Sequence, residues 1–184
     1  ARTIGQVSKI TSIEIGNYFR YNKGGIHNRL GRFEEMYDVI VIGAGPSGAS
    51  AALFTAKAGK KTLVLDNDKS VTKRAWIENH YGVEEISGPD LIAIGKKQAE
   101  KFGAEFKVAT AEKIEVENDG VMIQTEESNY MASEVILASG MLVDLAEASG
   151  IKTKDGTEPR IKKVIDVDDS GKTYLDHVWA AGTV

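Results

Sequence analysis

The chain has 184 residues, a formal net charge of −4 at neutral pH, 42% hydrophobic residues and no cysteine. This length supports one domain with a full hydrophobic core and leaves little room for a second. The absence of cysteine excludes disulfides, thiolate metal sites and a redox dithiol within these residues. His27, His80 and His177 are far apart and show no spacing typical of a histidine metal site, so no bound metal is expected.

Positive charge is concentrated in residues 1–35, which hold six basic and three acidic side chains, whereas residues 36–184 hold 17 basic and 24 acidic ones. An acidic body argues against a nucleic-acid-binding surface, which needs clustered Lys and Arg. Residues 39–56 contain no charge and approach the length of a membrane span, but a glycine cluster with Pro46 interrupts a continuous helix there. We therefore expect a cytoplasmic protein that binds neither nucleic acid nor a membrane.

Residues 1–35 show no sustained apolar period and end directly before Met36. Three interpretations remain open: a leader or added extension before a natural start at Met36, an arm that packs on the body or on a partner, and an organelle-targeting peptide. Three acidic residues disfavour the targeting peptide. We expect an N-terminal extension at residues 1–35 and a single domain at residues 36–184.

The next part of the chain shows a strand, a glycine-rich turn, a helix and a second strand. Residues 37–42 and 61–65 are almost entirely β-branched or apolar, which predicts strands buried on both faces of a parallel sheet. Between them, the alanine-rich residues 49–58 predict a helix that ends at Gly59. This order forms a βαβ unit of about 30 residues.

The turn after the first strand has the pattern Gly-x-Gly-x-x-Gly at Gly43, Gly45 and Gly48. The first glycine permits a tight turn, the second lets a pyrophosphate approach the backbone, and the third permits close packing of helix and strand. The helix N-terminus adds N–H groups and a positive dipole end. Asp66, 18 residues after Gly48, ends the second strand and can accept hydrogen bonds from ribose hydroxyls. Together these features predict a dinucleotide site.

The remaining chain predicts two helices and several short strands. Helices are expected at residues 89–102 and 142–148. Strands are expected at residues 104–109, 111–116, 121–125, 130–132, 135–138, 161–167 and 178–181. Asn118-Asp119-Gly120 predicts a hairpin turn. The expected fold class is therefore α/β: a Rossmann-like domain with a parallel sheet, helices and a small antiparallel β-meander.

Five segments carry a resemblance to a known family. The first is MYDVIVIGAGPSGASAALFTAKAGKKTLVLD at residues 36–66, with Pro46 in its turn. The others follow in order: Glu78-Asn79-His80-Tyr81-Gly82, Ser87-Gly88-Pro89-Asp90-Leu91, Ile136-Leu137-Ala138-Ser139-Gly140 and Trp179-Ala180-Ala181-Gly182-Thr183-Val184. In this order they resemble the FAD domain of thioredoxin reductases, within the pyridine nucleotide-disulfide oxidoreductase family. The resemblance covers nearly all of residues 36–184.

The resemblance implies FAD as the cofactor. The cofactor-site residues that it implies are Gly43, Gly45, Pro46, Ser47, Gly48, Asp66, Asn67, Asn79, Thr110, Ala111, Ala138, Ser139, Gly140, Gly182 and Thr183. Asn79 matches an asparagine that contacts the flavin in the family. No catalytic residue is identified. His80 is a candidate proton relay to a reduced flavin, with packing and hydrogen bonding as the simpler interpretation.

Three features depart from the thioredoxin reductase pattern. Only the 39 residues 141–179 lie where those proteins insert an NADPH-binding domain, and the chain has no second Gly-x-Gly-x-x-Gly. No cysteine is present for the family's active-site Cys-x-x-Cys. Thr183 stands where the family has the aspartate of a Gly-Asp-Val motif, and threonine brings no charge.

These features predict an FAD-binding, thioredoxin reductase-like oxidoreductase that is not a self-sufficient thioredoxin-disulfide reductase. Its electrons would come from a separate electron-donor or dithiol protein or from free NAD(P)H, and a homodimer is compatible with the resemblance. The alternative is a redox-silent FAD- or ADP-binding regulatory or scaffold module, because a fold alone does not decide function.

Overall fold

A computed structural model describes residues 33–118 and 120–183. Its compact unit begins at Phe33, which is also the first residue of the first strand. The interpretations of residues 1–35 fall almost wholly outside the described residues and stay predictions. Asp119, the middle residue of the predicted hairpin turn, also lies outside them.

The described residues form three α-helices, one 3-10 helix (Val71–Arg74) and eleven strands. The α-helices are α1 (Pro46–Lys57), α2 (Gly88–Glu100) and α3 (Asp144–Ala148). The strands are β1 (Phe33–Ile42), β2 (Thr62–Asp66), β3 (Trp76–Ile77), β4 (Ile86–Ser87), β5 (Glu105–Val108), β6 (Ala111–Glu117), β7 (Gly120–Thr125), β8 (Asn129–Leu137), β9 (Thr153–Asp155), β10 (Lys163–Ile165) and β11 (Val178–Ala180). None of the helices described is long and apolar enough to cross a membrane.

The main sheet has the strand order β5-β2-β1-β8-β7-β6, and β11 also pairs with β8. Strands β5, β2, β1, β8 and β11 are parallel, whereas β6, β7 and β8 form an antiparallel meander. Residues 129–132 of β8 pair with β7, and residues 135–137 pair with β11. The carboxyl ends of β1, β2, β8 and β11 therefore meet at one edge of the sheet, where α/β folds bind their ligands.

Both faces of the parallel part of the sheet are covered. On one face, Val39 and Val41 of β1 pack with Ala52 of α1 and Ala99 of α2. On the other face, Ile40 belongs to a cluster that includes residues from α3 and β10. Successive residues of β1 point to opposite faces, which is why its sequence is apolar without alternation. Ile40 is fully buried, so its truncation to alanine would cost about 2–5 kcal/mol.

The predicted fold class is confirmed by this mixed sheet and its helices. The element bounds needed corrections. The strands predicted at residues 130–132 and 135–138 are one strand, β8, because the polar residues between them continue the pairing with β1. The strand predicted at residues 161–167 is only the three-residue β10, and its partner β9 was not predicted. Helix α1 begins at Pro46, earlier than predicted, because proline suits the first helical position.

The segment between β8 and β11 forms α3, the β9–β10 hairpin and a polar turn. Lys163 Nζ donates to Glu147 Oε1 at 2.7 Å and so links β10 to α3. This hydrogen bond lowers the pKa of Glu147 and raises the pKa of Lys163. In the turn, Asp168 Oδ1 accepts from the Ser170 hydroxyl at 2.6 Å and from the Lys172 N–H at 3.0 Å. These bonds lower the pKa of Asp168.

Candidate functional site

A cleft of about 330 Å³ lies at the carboxyl ends of the parallel strands. Its walls come from the ends of β1, β2 and β8, from the break between β5 and β6, and from Thr183 after β11. Small-molecule sites usually measure about 300–1,000 Å³, so the cleft is large enough to hold part of a dinucleotide.

The glycine turn forms the floor of the cleft, and two of its glycines are required by the fold itself. A Cβ on Gly43 would lie 2.4 Å from the carbonyl oxygen of Ala138, and Gly43 has φ +102°, where side chains are strained. A Cβ on Gly48 would lie 1.9 Å from the carbonyl oxygen of Gly43. These contacts bring β1, the turn and the end of β8 together without side chains between them.

Gly45 differs from Gly43 and Gly48 because the described residues leave room for a Cβ there. Its φ is −64°, which any residue adopts, and an added Cβ would meet only Ser70 Oγ at 3.4 Å. The backbone at Gly45 is therefore open on the cleft side. A ligand that approaches the chain closely fits this space, as the second glycine of the pattern requires.

The N-terminus of α1 follows Gly45 directly. No side chain caps this end of the helix, Pro46 occupies its first turn, and the first turn contains no acidic residue. The described helix thus has neither a capping side chain nor a first-turn acid at the positive end of its dipole, and this end favours an anion in the cleft. The open space beside Gly45 together with this uncapped helix fits a pyrophosphate.

Asp66 connects the end of β2 to the glycine turn. The backbone N–H of Ala44 donates to Asp66 Oδ1 at 3.1 Å, and Asp66 also lines the cleft. A carboxylate has two acceptor oxygens, so the bond from Ala44 leaves acceptor capacity for a ligand hydroxyl. Asn67 lines the cleft as well, with its Oδ1 accepting from the Lys69 N–H at 3.1 Å.

The opposite wall follows β8. The backbone N–H of Ala138 donates to the carbonyl oxygen of Ile42 at 2.8 Å, which holds this wall against the end of β1. The Ser139 hydroxyl donates to the carbonyl oxygen of Leu142 at 2.7 Å and closes a tight turn around Gly140, which has φ +71°. This wall is built from the small residues Ala138, Ser139 and Gly140, and Met141 and Leu142 continue the lining.

The chain after β11 reaches the cleft beside α1. The backbone N–H of Ala181 donates to the carbonyl oxygen of Leu137 at 2.8 Å. Gly182 follows with φ +96°, and a Cβ there would lie 2.5 Å from Ser47 Oγ. Gly182 therefore lies against the first turn of α1, and Thr183 lines the cleft.

Most residues predicted for the cofactor site lie together in this cleft. Those that line it are Gly43, Gly45, Pro46, Ser47, Asp66, Asn67, Thr110, Ala111, Ala138, Ser139, Gly140 and Thr183. Gly48 lies beneath the turn, and Gly182 contacts Ser47 without being part of the lining. Asn79 is exposed and does not line the cleft.

His80 lines a smaller groove of about 80 Å³ between α1 and α2, next to Gly45 and Pro46. The groove is otherwise largely apolar, with residues such as Leu53 and Leu91. The histidine thus lies near the glycine turn, but its role as a proton relay stays a prediction. Nowhere in the described chain do three or more His, Asp or Glu side chains come together in a group that could hold a metal ion.

Sequence reasoning missed two segments of the lining, one from Lys69 to Thr72 and one that includes Met141, Leu142, Asp144 and Leu145. Lys69 and Ser70 follow β2, and Ser70 Oγ is the atom nearest to the open side of Gly45. Asp144 and Leu145 of α3 line the other end. Lys69 and Ser70 directly follow the predicted acid Asp66, which was the available signal, whereas nothing in the local pattern marks Asp144.

Comparison with known proteins identifies the relatives of this domain. A family described as pyridine nucleotide-disulphide oxidoreductase matches residues 37–162. A thioredoxin reductase from Aquifex aeolicus is 40% identical over 116 residues, which cover 59% of this chain and 35% of that protein. Thioredoxin reductase from Streptococcus pyogenes, known from a crystal structure, has 34% sequence identity to this chain and a TM-score of 0.55. The match covers 57% of this chain and 35% of that chain.

A further structure shows the fold alone. An oxidoreductase from Agrobacterium tumefaciens is only 13% identical, but it has a TM-score of 0.68 and covers 81% of this chain and 90% of that chain. By contrast, the chain spans just over a third of the length of the Aquifex and Streptococcus relatives. The resemblance stated from the sequence is confirmed, and so is FAD as the cofactor type, since this family and its thioredoxin reductases bind FAD.

Proposed function

Because the chain belongs to the pyridine nucleotide-disulphide oxidoreductase family, we propose that its cleft binds FAD with the pyrophosphate at the turn from Gly43 to Gly48. The observation that carries this proposal is the open side of Gly45 at the uncapped N-terminus of α1. Nothing in the described protein uses this space, and both the backbone and the helix dipole favour an anion there.

The other cleft residues have complementary roles in the proposal. Asp66 accepts hydrogen bonds from the adenosine ribose, as an acid at the end of the second strand does in such sites. The break at Thr110 and Ala111 and the wall at Ala138–Gly140 enclose the cofactor. Thr183, after β11, contributes a hydroxyl that can donate or accept one hydrogen bond but supplies no charge. Asn79 and His80 are proposed to lie toward the flavin end.

FAD supplies the hydride and electron transfer when it is bound, and the task of the chain is to bind and orient it. The segment between β8 and β11 consists of α3, a small hairpin and a turn, and it offers no second glycine-rich turn for a nicotinamide nucleotide. Positioning of both reactants supplies a large share of an enzymatic rate. We therefore propose that this chain depends on a separate electron-donor or dithiol protein, or on free NAD(P)H.

A redox-silent binding module is the less favoured function, because the family and the named relatives are oxidoreductases. Homodimer formation and cytoplasmic location also stay proposals.

Anaerobic reduction of the FAD-loaded protein by NADPH tests the proposal of an external electron source. We expect the flavin absorbance to bleach slowly, at a rate that rises linearly with NADPH concentration without saturating. Steady-state reduction of a disulfide substrate should stay near background until a partner protein is added. Unaided turnover of about 10 per second, an ordinary enzymatic rate, would show that a nicotinamide site and an electron acceptor exist in this chain.

A further inference from the structure

Strand β11 is short, with only three residues. It pairs with β8 at three positions, and on its other side Trp179 forms an isolated β-bridge with Lys172. The residue before it, His177, has φ +64°, which residues other than glycine rarely adopt. Yet this strand places the next residues, Gly182 and Thr183, at the cleft.

One side chain of β8 holds both residues that flank Val178 in β11. Glu134 Oε2 accepts from Trp179 Nε1 at 2.8 Å, and Glu134 Oε1 lies 2.9 Å from His177 Nδ1. The two carboxylate oxygens thus contact two different side chains, one in β11 and one directly before it. Hydrogen bonds to a charged acceptor are stronger than those between neutral groups.

Main-chain hydrogen bonds also hold β11 in place. The Val135 N–H donates to the carbonyl oxygen of His177, and the Ala181 N–H donates to that of Leu137, both at 2.8 Å. On the other edge of the strand, the Ala180 N–H donates to the carbonyl oxygen of Gly171 at 2.8 Å, and the Thr173 N–H donates to that of Val178 at 3.0 Å. All of these bonds act on the main chain, and the carboxylate of Glu134 adds a restraint through the side chains of His177 and Trp179.

We propose that Glu134 is a positioning residue for the cofactor site, acting through His177 and Trp179 to hold β11 so that Gly182 stays against Ser47 and Thr183 stays at the cleft. This inference rests on the proposed binding of FAD in the cleft. Glu134 itself does not line the cleft, so its effect on the cofactor is indirect.

The main test measures the dissociation constant of FAD by fluorescence titration of Glu134→Ala and Glu134→Gln. Alanine removes both contacts, and we expect FAD binding to weaken by about 3- to 10-fold, the usual effect of losing hydrogen bonds of this kind. Glutamine keeps an oxygen for Trp179 Nε1 and an amide N–H for a neutral His177, so we expect affinity within about twofold of wild type.

A second measurement reports on the environment of β11 in the absence of the cofactor. The chain has two tryptophans, Trp76 and Trp179, so Trp76→Phe leaves Trp179 as the single emitter. In that background, Glu134→Ala should shift the emission of Trp179 in the absence of FAD, and Glu134→Gln should restore it. Should Glu134→Ala fail to fold, Trp179→Phe keeps an aromatic ring without the N–H donor and should weaken FAD binding in the same direction.

Glu115→Ala is the matched control. Glu115 also binds two side chains, accepting from Gln124 Nε2 at 2.8 Å and from Lys113 Nζ at 2.6 Å, but it lies on the β6–β7 hairpin. Its loss should leave FAD affinity unchanged. Wild-type affinity in Glu134→Ala, equal weakening in Glu115→Ala, or no rescue by glutamine would each overturn the inference. Failure of the wild-type protein to bind FAD would overturn the proposed function and this inference together, whereas an unchanged Trp179 emission would overturn the inference alone.

Discussion

Substitution of Gly45 separates the requirements of the cofactor from those of the fold. Gly45→Ala places a methyl group in open space, 3.4 Å from Ser70 Oγ, at a φ of −64° that alanine tolerates. Alanine is a poorer helix N-cap than glycine, but it also lowers the entropy of the unfolded chain, an effect of about 0.4–1 kcal/mol. The two effects offset each other, so the free energy of unfolding should change by less than about 1 kcal/mol. For a domain of this size, that corresponds to less than about 4 °C in Tm.

Binding of FAD should respond very differently to the same substitution. A Cβ at Gly45 would occupy the space proposed for the pyrophosphate, and steric displacement of this kind costs about 1–3 kcal/mol. That cost is about a 5- to 150-fold loss of affinity, and the larger side chain of Gly45→Val should abolish binding. Wild-type protein at a free FAD concentration of 100 times its Kd should gain about 2.7 kcal/mol of stability, whereas Gly45→Val should gain none.

Thermal melting with and without FAD measures both quantities in one assay. Gly43→Ala is the contrasting variant, because its Cβ would lie 2.4 Å from the carbonyl oxygen of Ala138 at a φ of +102°. That variant should lose about 2–5 kcal/mol of stability even without FAD. If Gly45→Val keeps flavin at wild-type stoichiometry and a wild-type gain in Tm, the cofactor site has been misplaced.

Three further predictions concern other residues of the site and its supports. Asp66→Ala removes the acceptor for the Ala44 N–H and for a ribose hydroxyl, so FAD titration should show affinity reduced by about 10-fold or more, with Asp66→Asn less affected. Gly182→Ala should lower both Tm and FAD affinity, and adding Ser47→Ala should restore only part of the loss. The second substitution removes the contact with Oγ at 2.5 Å, but it leaves the contact with the Cβ of residue 47 at 2.9 Å and the strain at φ +96°. The pKa of Asp168 is lowered by its hydrogen bonds, so its contribution to stability is present above the ordinary aspartate pKa and is lost as pH falls through the lower folded value. The difference in Tm between wild type and Asp168→Ala should therefore shrink as the pH falls from about 6 to 3, and a constant difference would contradict this assignment.

Local patterns in the sequence predicted the centre of the fold, and the family resemblance predicted most of the cleft lining. The apolar residues 37–42 and 61–65 lie in β1 and β2, because a strand buried on both faces has to be apolar throughout. Gly43 and Gly48 lie where close backbone contacts exclude a side chain, so the spacing of the glycines in the sequence already indicates these contacts. The resemblance to the family predicted Ala138–Gly140 and Thr183 as further site residues, and they line the same cleft.

The features that sequence reasoning missed depend on contacts between distant segments. Glu134 looked like a break between two short strands, but it continues β8 because its backbone pairs with Val39 and its side chain has partners near β11. Asp144 reaches the cleft only because the turn after Ser139 places the start of α3 there. No local sequence pattern indicates either of these two arrangements. The places of Asn79 and His80 relative to a flavin also depend on the cofactor and stay predictions.

The central claim, that this cleft carries a redox-active FAD, is tested most directly by the absorbance spectrum of the protein. Purified protein is incubated with FAD, separated from free cofactor, and titrated with dithionite under anaerobic conditions before exposure to air. We expect about one flavin per chain, with an absorbance that bleaches on reduction and returns on reoxidation. A colourless protein after loading would contradict FAD binding, and a bound flavin that cannot be reduced would contradict the oxidoreductase function.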